Sequence, residues 1–155
     1  TDDPTPDFVL NSPFKMMNEV AEYIGLCGPV SIPTINLVAA LGVIQAVTGR
    51  KYYSEQFVNS TNCYIVLVAS TSGGKDSIKK GIQKVLFESG LHQRLGKGRF
   101  TSSAGIETAL LQSPCQLSIM DEFGDMLNHG LNDKGGHAKT QFRSMKMAFS
   151  DSTSI

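Results

Sequence analysis

Asn62-Cys63-Tyr64-Ile65-Val66-Leu67-Val68-Ala69, followed at once by Ser70-Thr71-Ser72-Gly73-Gly74-Lys75-Asp76, is the stretch on which the fold turns. Residues 63–69 are an unbroken apolar and largely β-branched run, the pattern of a strand covered on both faces in a parallel sheet. Burying each large side chain of such a run contributes about 1.5–3 kcal/mol. Small and hydroxylated residues then make a turn. Beyond it Ile78, Ile82, Val85 and Leu86 sit at helical spacing, so Asp76 to Ser89 reads as a helix that Gly90 stops.

Downstream, Arg99-Phe100-Thr101 is a candidate short strand and Ser103 to Gln112 a helix with Ile106, Ala109 and Leu110 inward. Ser113-Pro114 breaks it, and Cys115 to Met120 is a further strand candidate. Strand, helix, strand, helix, strand makes two βαβ units, which close as a parallel sheet with right-handed crossovers. Asn128 to Gly136, rich in Gly, Asn and Asp, reads as a mobile loop, and helical pattern resumes from His137 to Phe149.

Upstream, Thr1 to Pro13 holds three prolines and three aspartates and reads as an extended leader, with Ser12-Pro13 as a helix start. Met17, Val20, Ala21 and Ile24 then mark one face of a helix ended by Gly28-Pro29. Pro33 to Thr48 is apolar almost all round, which demands cover on several sides from the first helix and from something larger; Gly49 stops it. The expected organisation is a leader over 1–12, a helical segment over 13–61 and a core over 62–155.

Composition narrows the function classes. A length of 155 residues suits one domain, and 41% hydrophobic with 18% charged residues excludes a disordered chain. Fourteen basic residues balance fourteen acidic ones, which excludes a bulk-charge coat on nucleic acid while leaving room for a local basic patch. Cys27, Cys63 and Cys115 are odd in number and lack CxxC spacing, so a reducing cytosol fits better than a disulfide scaffold or structural zinc. The longest apolar stretch, Ile32 to Val47, is interrupted by Pro33, Asn36 and Gln45, and no membrane span is expected.

The turn at residues 69–76 nearly fits the phosphate-binding pattern G-x-x-x-x-G-K-[ST]. Glycines let backbone N–H groups converge on phosphate oxygens, and the following helix aims about half a positive charge at the same point. Ser70, Thr71, Ser72, Gly73, Gly74, Lys75, Asp76 and Ser77 are therefore the candidate nucleotide contacts, with Lys75 against the β and γ phosphates. Two positions depart from the pattern: Ala69 stands for the first glycine, and Asp76 for the magnesium-binding hydroxyl, with Ser77 one place later. A carboxylate there repels a triphosphate unless a cation lies between them, so strongly magnesium-dependent binding is expected.

The apolar segment Gln116 to Met120 delivers Asp121-Glu122 at its carboxyl end, where an acid beside a phosphate loop reaches the metal. Asp121 and Asp76 are the candidate Mg²⁺ carboxylates, and Glu122 is the candidate base toward the attacking water. The plainer readings are an ordinary strand-to-helix turn with a solvated lysine, and two acids capping the next helix.

The two-helix start, the strand ending Ser-Thr-Ser-Gly-Gly-Lys-Asp, the Thr101-Ser102-Ser103-Ala104 segment and the strand into Asp121-Glu122-Phe123-Gly124 together resemble a family of P-loop proteins. These are the primase/helicase-associated ATPases of phages, prophages and other mobile elements, and the likeness covers roughly Pro13 to Ser150. The resemblance implies an α/β, RecA-like P-loop NTPase core of three layers with a parallel sheet, preceded by a helical pair. It also implies Mg-ATP as ligand and a role in DNA replication, with a homo-oligomeric ring expected of the full-length protein. Such cores continue into strands bearing a polar sensor and an arginine finger; here the chain reads as the first part of a longer protein, with weak hydrolysis on its own.

Other residues have plainer explanations. Lys139, Arg143 and Lys146 at i, i+4, i+7 read as a solvated helix face rather than a DNA channel. Gly96-Lys97 reads as a loop, Asp125 as a helix surface residue, and His129 with His137 as no metal site. Cys63 and Cys115 are expected to fill the sheet core, and Arg50-Lys51-Tyr52-Tyr53 to form a half-exposed edge strand. The rival functional class is a non-catalytic assembly module that kept the fold; a nucleotide kinase is disfavoured because no lid or acceptor site is visible.

Overall fold

Six α-helices carry most of what the computed structural model describes, namely residues 12–54, 59–68, 75–121, 123–132 and 136–150. The chain divides into two units, Thr1–Val47 with Cys63–His92, and Thr48–Asn62 with Gln93–Ile155.

In the first unit, α1 (Lys15–Leu26) begins after a local clamp. The Ser12 hydroxyl accepts from the Phe14 N–H at 3.2 Å, and Ser12 and Asn18 exchange two hydrogen bonds through the Ser12 backbone, at 2.8 and 3.1 Å. The bond to the Phe14 N–H meets a donor that the helix start leaves open, and the Ser12–Asn18 pair ties the preceding backbone to the first turn. The buried face of α1 (Ala21, Ile24, Gly25) packs on that of α3 (Lys75–Glu88), formed by Ser77, Ile78, Gly81, Ile82 and Leu86. Among the described residues Ile24 and Leu86 are the large side chains sealed most completely from solvent, each worth about 1.5–3 kcal/mol of burial. The helices approach closely because Gly81 faces Ile24: a Cβ at 81 would lie 2.9 Å from Ile24 Cγ2 and 3.1 Å from its Cα and carbonyl oxygen.

Gly90 ends α3 as the sequence predicts. Its φ of +69° lets the Gly90 N–H reach Phe87 O at 3.0 Å and the Leu91 N–H reach Leu86 O at 2.7 Å, the paired closure of a Schellman motif. Between α1 and α3 in sequence lies α2 (Pro33–Thr48), which buries a row of small residues, Ala39, Ala40, Gly42 and Ala46, together with Val43 and Asn36. Asn36 keeps a partner by donating to Ser31 Oγ at 2.9 Å.

In the second unit, β1 (Tyr53–Ser54) and β2 (Asn59–Ser60) pair antiparallel. After a 3₁₀ turn at His92–Arg94 comes α4 (Ser103–Gln112), capped by Ser102, whose hydroxyl accepts from the Gly105 N–H at 3.1 Å. Helices α4 and α5 (Phe123–Asn132) both pack on α6 (His137–Ser150). Ser144 of α6 donates to Glu107 of α4 at 3.0 Å, and Phe123 meets Phe142 edge-on with centroids 6.2 Å apart.

The parallel-sheet α/β P-loop architecture expected from the sequence is not what forms. Among the described residues, strand pairing is limited to β1 with β2 and one parallel bridge, Leu95 to Leu117. That bridge is built from Leu117 N–H to Arg94 O (2.7 Å) and Gly96 N–H to Leu117 O (3.0 Å). Its partner segment lies at Leu95, upstream of the predicted Arg99–Thr101. The decisive run, Cys63–Val68, has no ladder and is exposed, Val66 at 60% and Val68 at 93%. β-propensity gives a segment a reason to be buried but supplies no neighbouring strand, and without one the run stays outside a sheet. Cys63 accordingly lies at the surface, its thiol directed to Gln45 Oε1 at 2.6 Å, rather than in a sheet core. The predicted loop from Asn128 is also revised, since α5 runs on to Asn132.

Candidate functional site

Lys75 is the first residue of α3 and Asp76 the second, and both side chains are exposed. Asp76 falls opposite the face that Ile78, Gly81, Ile82 and Leu86 turn toward α1, whereas Lys75, three residues before Ile78 and seven before Ile82, shares the register of that face and is exposed at the helix's first position. The N–H groups of a helix's first turn have no acceptor within the helix and carry the positive end of its dipole. An exposed lysine there suits an anion. Asp76 also answers that dipole, at about 0.3–1 kcal/mol for an exposed acid in the first turn. The predicted contacts Ser70, Thr71, Ser72, Gly73 and Gly74 lie outside the described residues.

Ser77 stands differently. It is 9% exposed and lies against Gly28 in the connection between α1 and α2. Sequence reasoning took Gly28 only as a helix terminator and missed this contact; Gly28-Pro29 was a visible turn signal, but its neighbour 49 positions later was not.

Asp121 follows the Cys115–Met120 segment and is exposed, one residue before Glu122, which lies outside the described residues, and two before α5. Asp125 occupies the first turn of α5 and is exposed, as a surface acid should be. Lys75 belongs to the first unit and Asp121 to the second. Among the described residues no group of three or more His, Cys, Asp or Glu side chains gathers to hold a metal ion. Carboxylates such as Asp76 and Asp121, exposed and oxygen-bearing, suit a magnesium ion that keeps most of its water.

Of the remaining candidates the α6 cations keep their plain reading, whereas residues 50–52 precede β1 instead of forming the expected edge strand and Cys115 has no parallel-sheet core to fill among the described residues. Lys139, Arg143 and Lys146 are exposed on α6. Arg50, Lys51 and Tyr52 are exposed beside the β1 edge. The Cys115 thiol donates to Gly49 O at 3.0 Å. Among the described residues no helix is long and apolar enough to cross a membrane. No protein-family model, no curated protein and no solved structure matches this chain.

Proposed function

We propose that the junction between the Cys63–Val68 run and α3 binds the phosphates of Mg-ATP and that the chain hydrolyses it. What supports this reading is the exposed Lys75 at the start of a 14-residue helix, directly after Ser-Thr-Ser-Gly-Gly. Lys75 holds phosphate oxygens, and Asp76 beside it is the carboxylate offered to magnesium. The resemblance to primase/helicase-associated ATPases extends the proposal to work on DNA.

A second reading, a module that has lost catalysis and serves assembly, is favoured by Asp76, whose charge already answers the helix dipole. Thermal melting separates the two. Mg-ATP at a hundredfold excess over its Kd stabilises a binding protein by about 2.7 kcal/mol. The Lys75→Ala variant is expected to lose that shift while melting normally without ligand. A wild-type chain that does not respond to Mg-ATP removes the nucleotide reading.

A further inference from the structure

Gly28 and Ser77 meet at a distance that leaves no room for a side chain at position 28. A Cβ built there falls 2.1 Å from Ser77 Oγ, 2.2 Å from Ser77 Cβ and 3.2 Å from Ser77 Cα. The hydroxyl can rotate away, but Cβ and Cα cannot. Gly28 is also not in the left-handed region, where only Gly90 and Gly136 lie among the described glycines, so glycine is needed at 28 for space and not for backbone conformation. The connection between α1 and α2 therefore sits directly on the first turn of α3.

One helical turn beyond Ser77, Gly81 lies against the Ile24 backbone. With α3 held there, an atom added at position 28 cannot be absorbed by sliding the whole helix; the displacement falls on its first turn, since packed interiors transmit small volume changes. That turn carries Lys75 and Asp76.

We propose that Gly28 is a positioning residue: its missing side chain lets the α1–α2 connection seat on Ser77 and so sets the start of α3 in the orientation that presents Lys75 to phosphate. The inference rests on the nucleotide reading above and deepens it by giving the N-terminal helical pair a share in shaping the site.

The test uses the full chain, Mg-ATP as probe, and calorimetric binding alongside ligand-free melting. Gly28→Ala is expected to bind Mg-ATP at least about tenfold more weakly, because small misplacements of a binding group are costly, while still melting cooperatively. Ser77→Gly removes the two closest atoms, Oγ and Cβ, and leaves only the milder 3.2 Å approach to Cα; the double variant G28A/S77G is expected to return toward the affinity of S77G alone. Should G28A not fold, Ser77→Thr adds a methyl to the same contact from the other side and is expected to weaken binding in the same direction. Wild-type affinity in G28A, or in S77T where G28A fails to fold, overturns the proposal, as does a double variant no tighter than G28A. A wild-type chain that does not bind Mg-ATP overturns the nucleotide reading and the positioning role with it, whereas a binding wild type with an indifferent Gly28→Ala overturns the positioning role alone.

Discussion

The Tyr23 hydroxyl donates a hydrogen bond to the Glu88 carboxylate, joining α1 to the last turn of α3 across 65 positions of sequence. Lys84 completes the group, 5.4 Å from the centre of the Tyr23 ring and 3.8 Å from Glu88 Oε1. The cluster lies at the surface, directly outside the Ile24–Leu86 core, and it marks the seam on which the position of α3 depends.

Its protonation makes that seam sensitive to alkali. The hydrogen bond to Glu88 raises the Tyr23 pKa above its ordinary 10.0, and the hydrogen bond to Tyr23 raises that of Lys84 above 10.5. Both groups hold their protons more firmly in the folded chain. Their contribution is thus complete below pH 10.0 and is lost as pH climbs through the raised values. Melting temperature should be level at neutral pH and fall in alkali, and Tyr23→Phe should fall less steeply. Parallel alkaline declines in the two proteins would sink this account.

Gly81→Leu should destabilise the chain. A leucine gains about 1 kcal/mol of helix propensity over glycine, but it must enter a space bounded by Ile24 backbone at 3.1 Å, and overpacking costs about 1–3 kcal/mol or more. Urea unfolding decides the sign. A higher midpoint for the leucine variant would mean that the α1–α3 contact is slack.

Arg50 holds a φ of 59°, a left-handed conformation just past the end of α2. The penalty for a side chain there is roughly 1–2 kcal/mol, partly offset in a glycine variant by the larger entropy glycine loses on folding. Unfolding midpoints should rank Arg50→Gly at or above wild type and Arg50→Val clearly below, because β-branching is least tolerated at positive φ. The reverse ranking would contradict the conformation.

Asp76 governs the metal requirement of the proposed site. An exposed carboxylate beside Lys75 should oppose a bare triphosphate, so ATP binding should weaken sharply when EDTA replaces magnesium. Asp76→Ser should narrow the gap between the two conditions. Equal affinities with and without magnesium in the wild type would remove the metal from the account.

How much of this was readable in residues alone varies with how local the signal is. Helix α4 begins and ends where its sequence says, because Ser102 caps one end and Ser113-Pro114 interrupts the other. Gly90 likewise encodes its own turn. Helix α5 was obscured by Asn128, Gly130 and Asn132, although Phe123, Met126, Leu127 and Leu131 keep the helical period through them. The Cys63–Val68 run misled for a different reason: its composition speaks of burial, while the identity of a covering strand is a long-range property. In the candidate site, the helix start at Lys75 was legible. The contact of Ser77 with Gly28 was not, since no periodicity links them.

The two units are interleaved along the chain, with Thr48–Asn62 leaving the first and Cys63–His92 returning to it. On the ribosome, α1 must therefore wait for α3 to emerge before its apolar face is covered, and β1 and β2 are made before Gln93 and the rest of their unit exist. A cut after His92 keeps the first unit entire but strips the second of Gln93–Ile155, and a cut after Val47 does the reverse, so no single cleavage parts the two units cleanly.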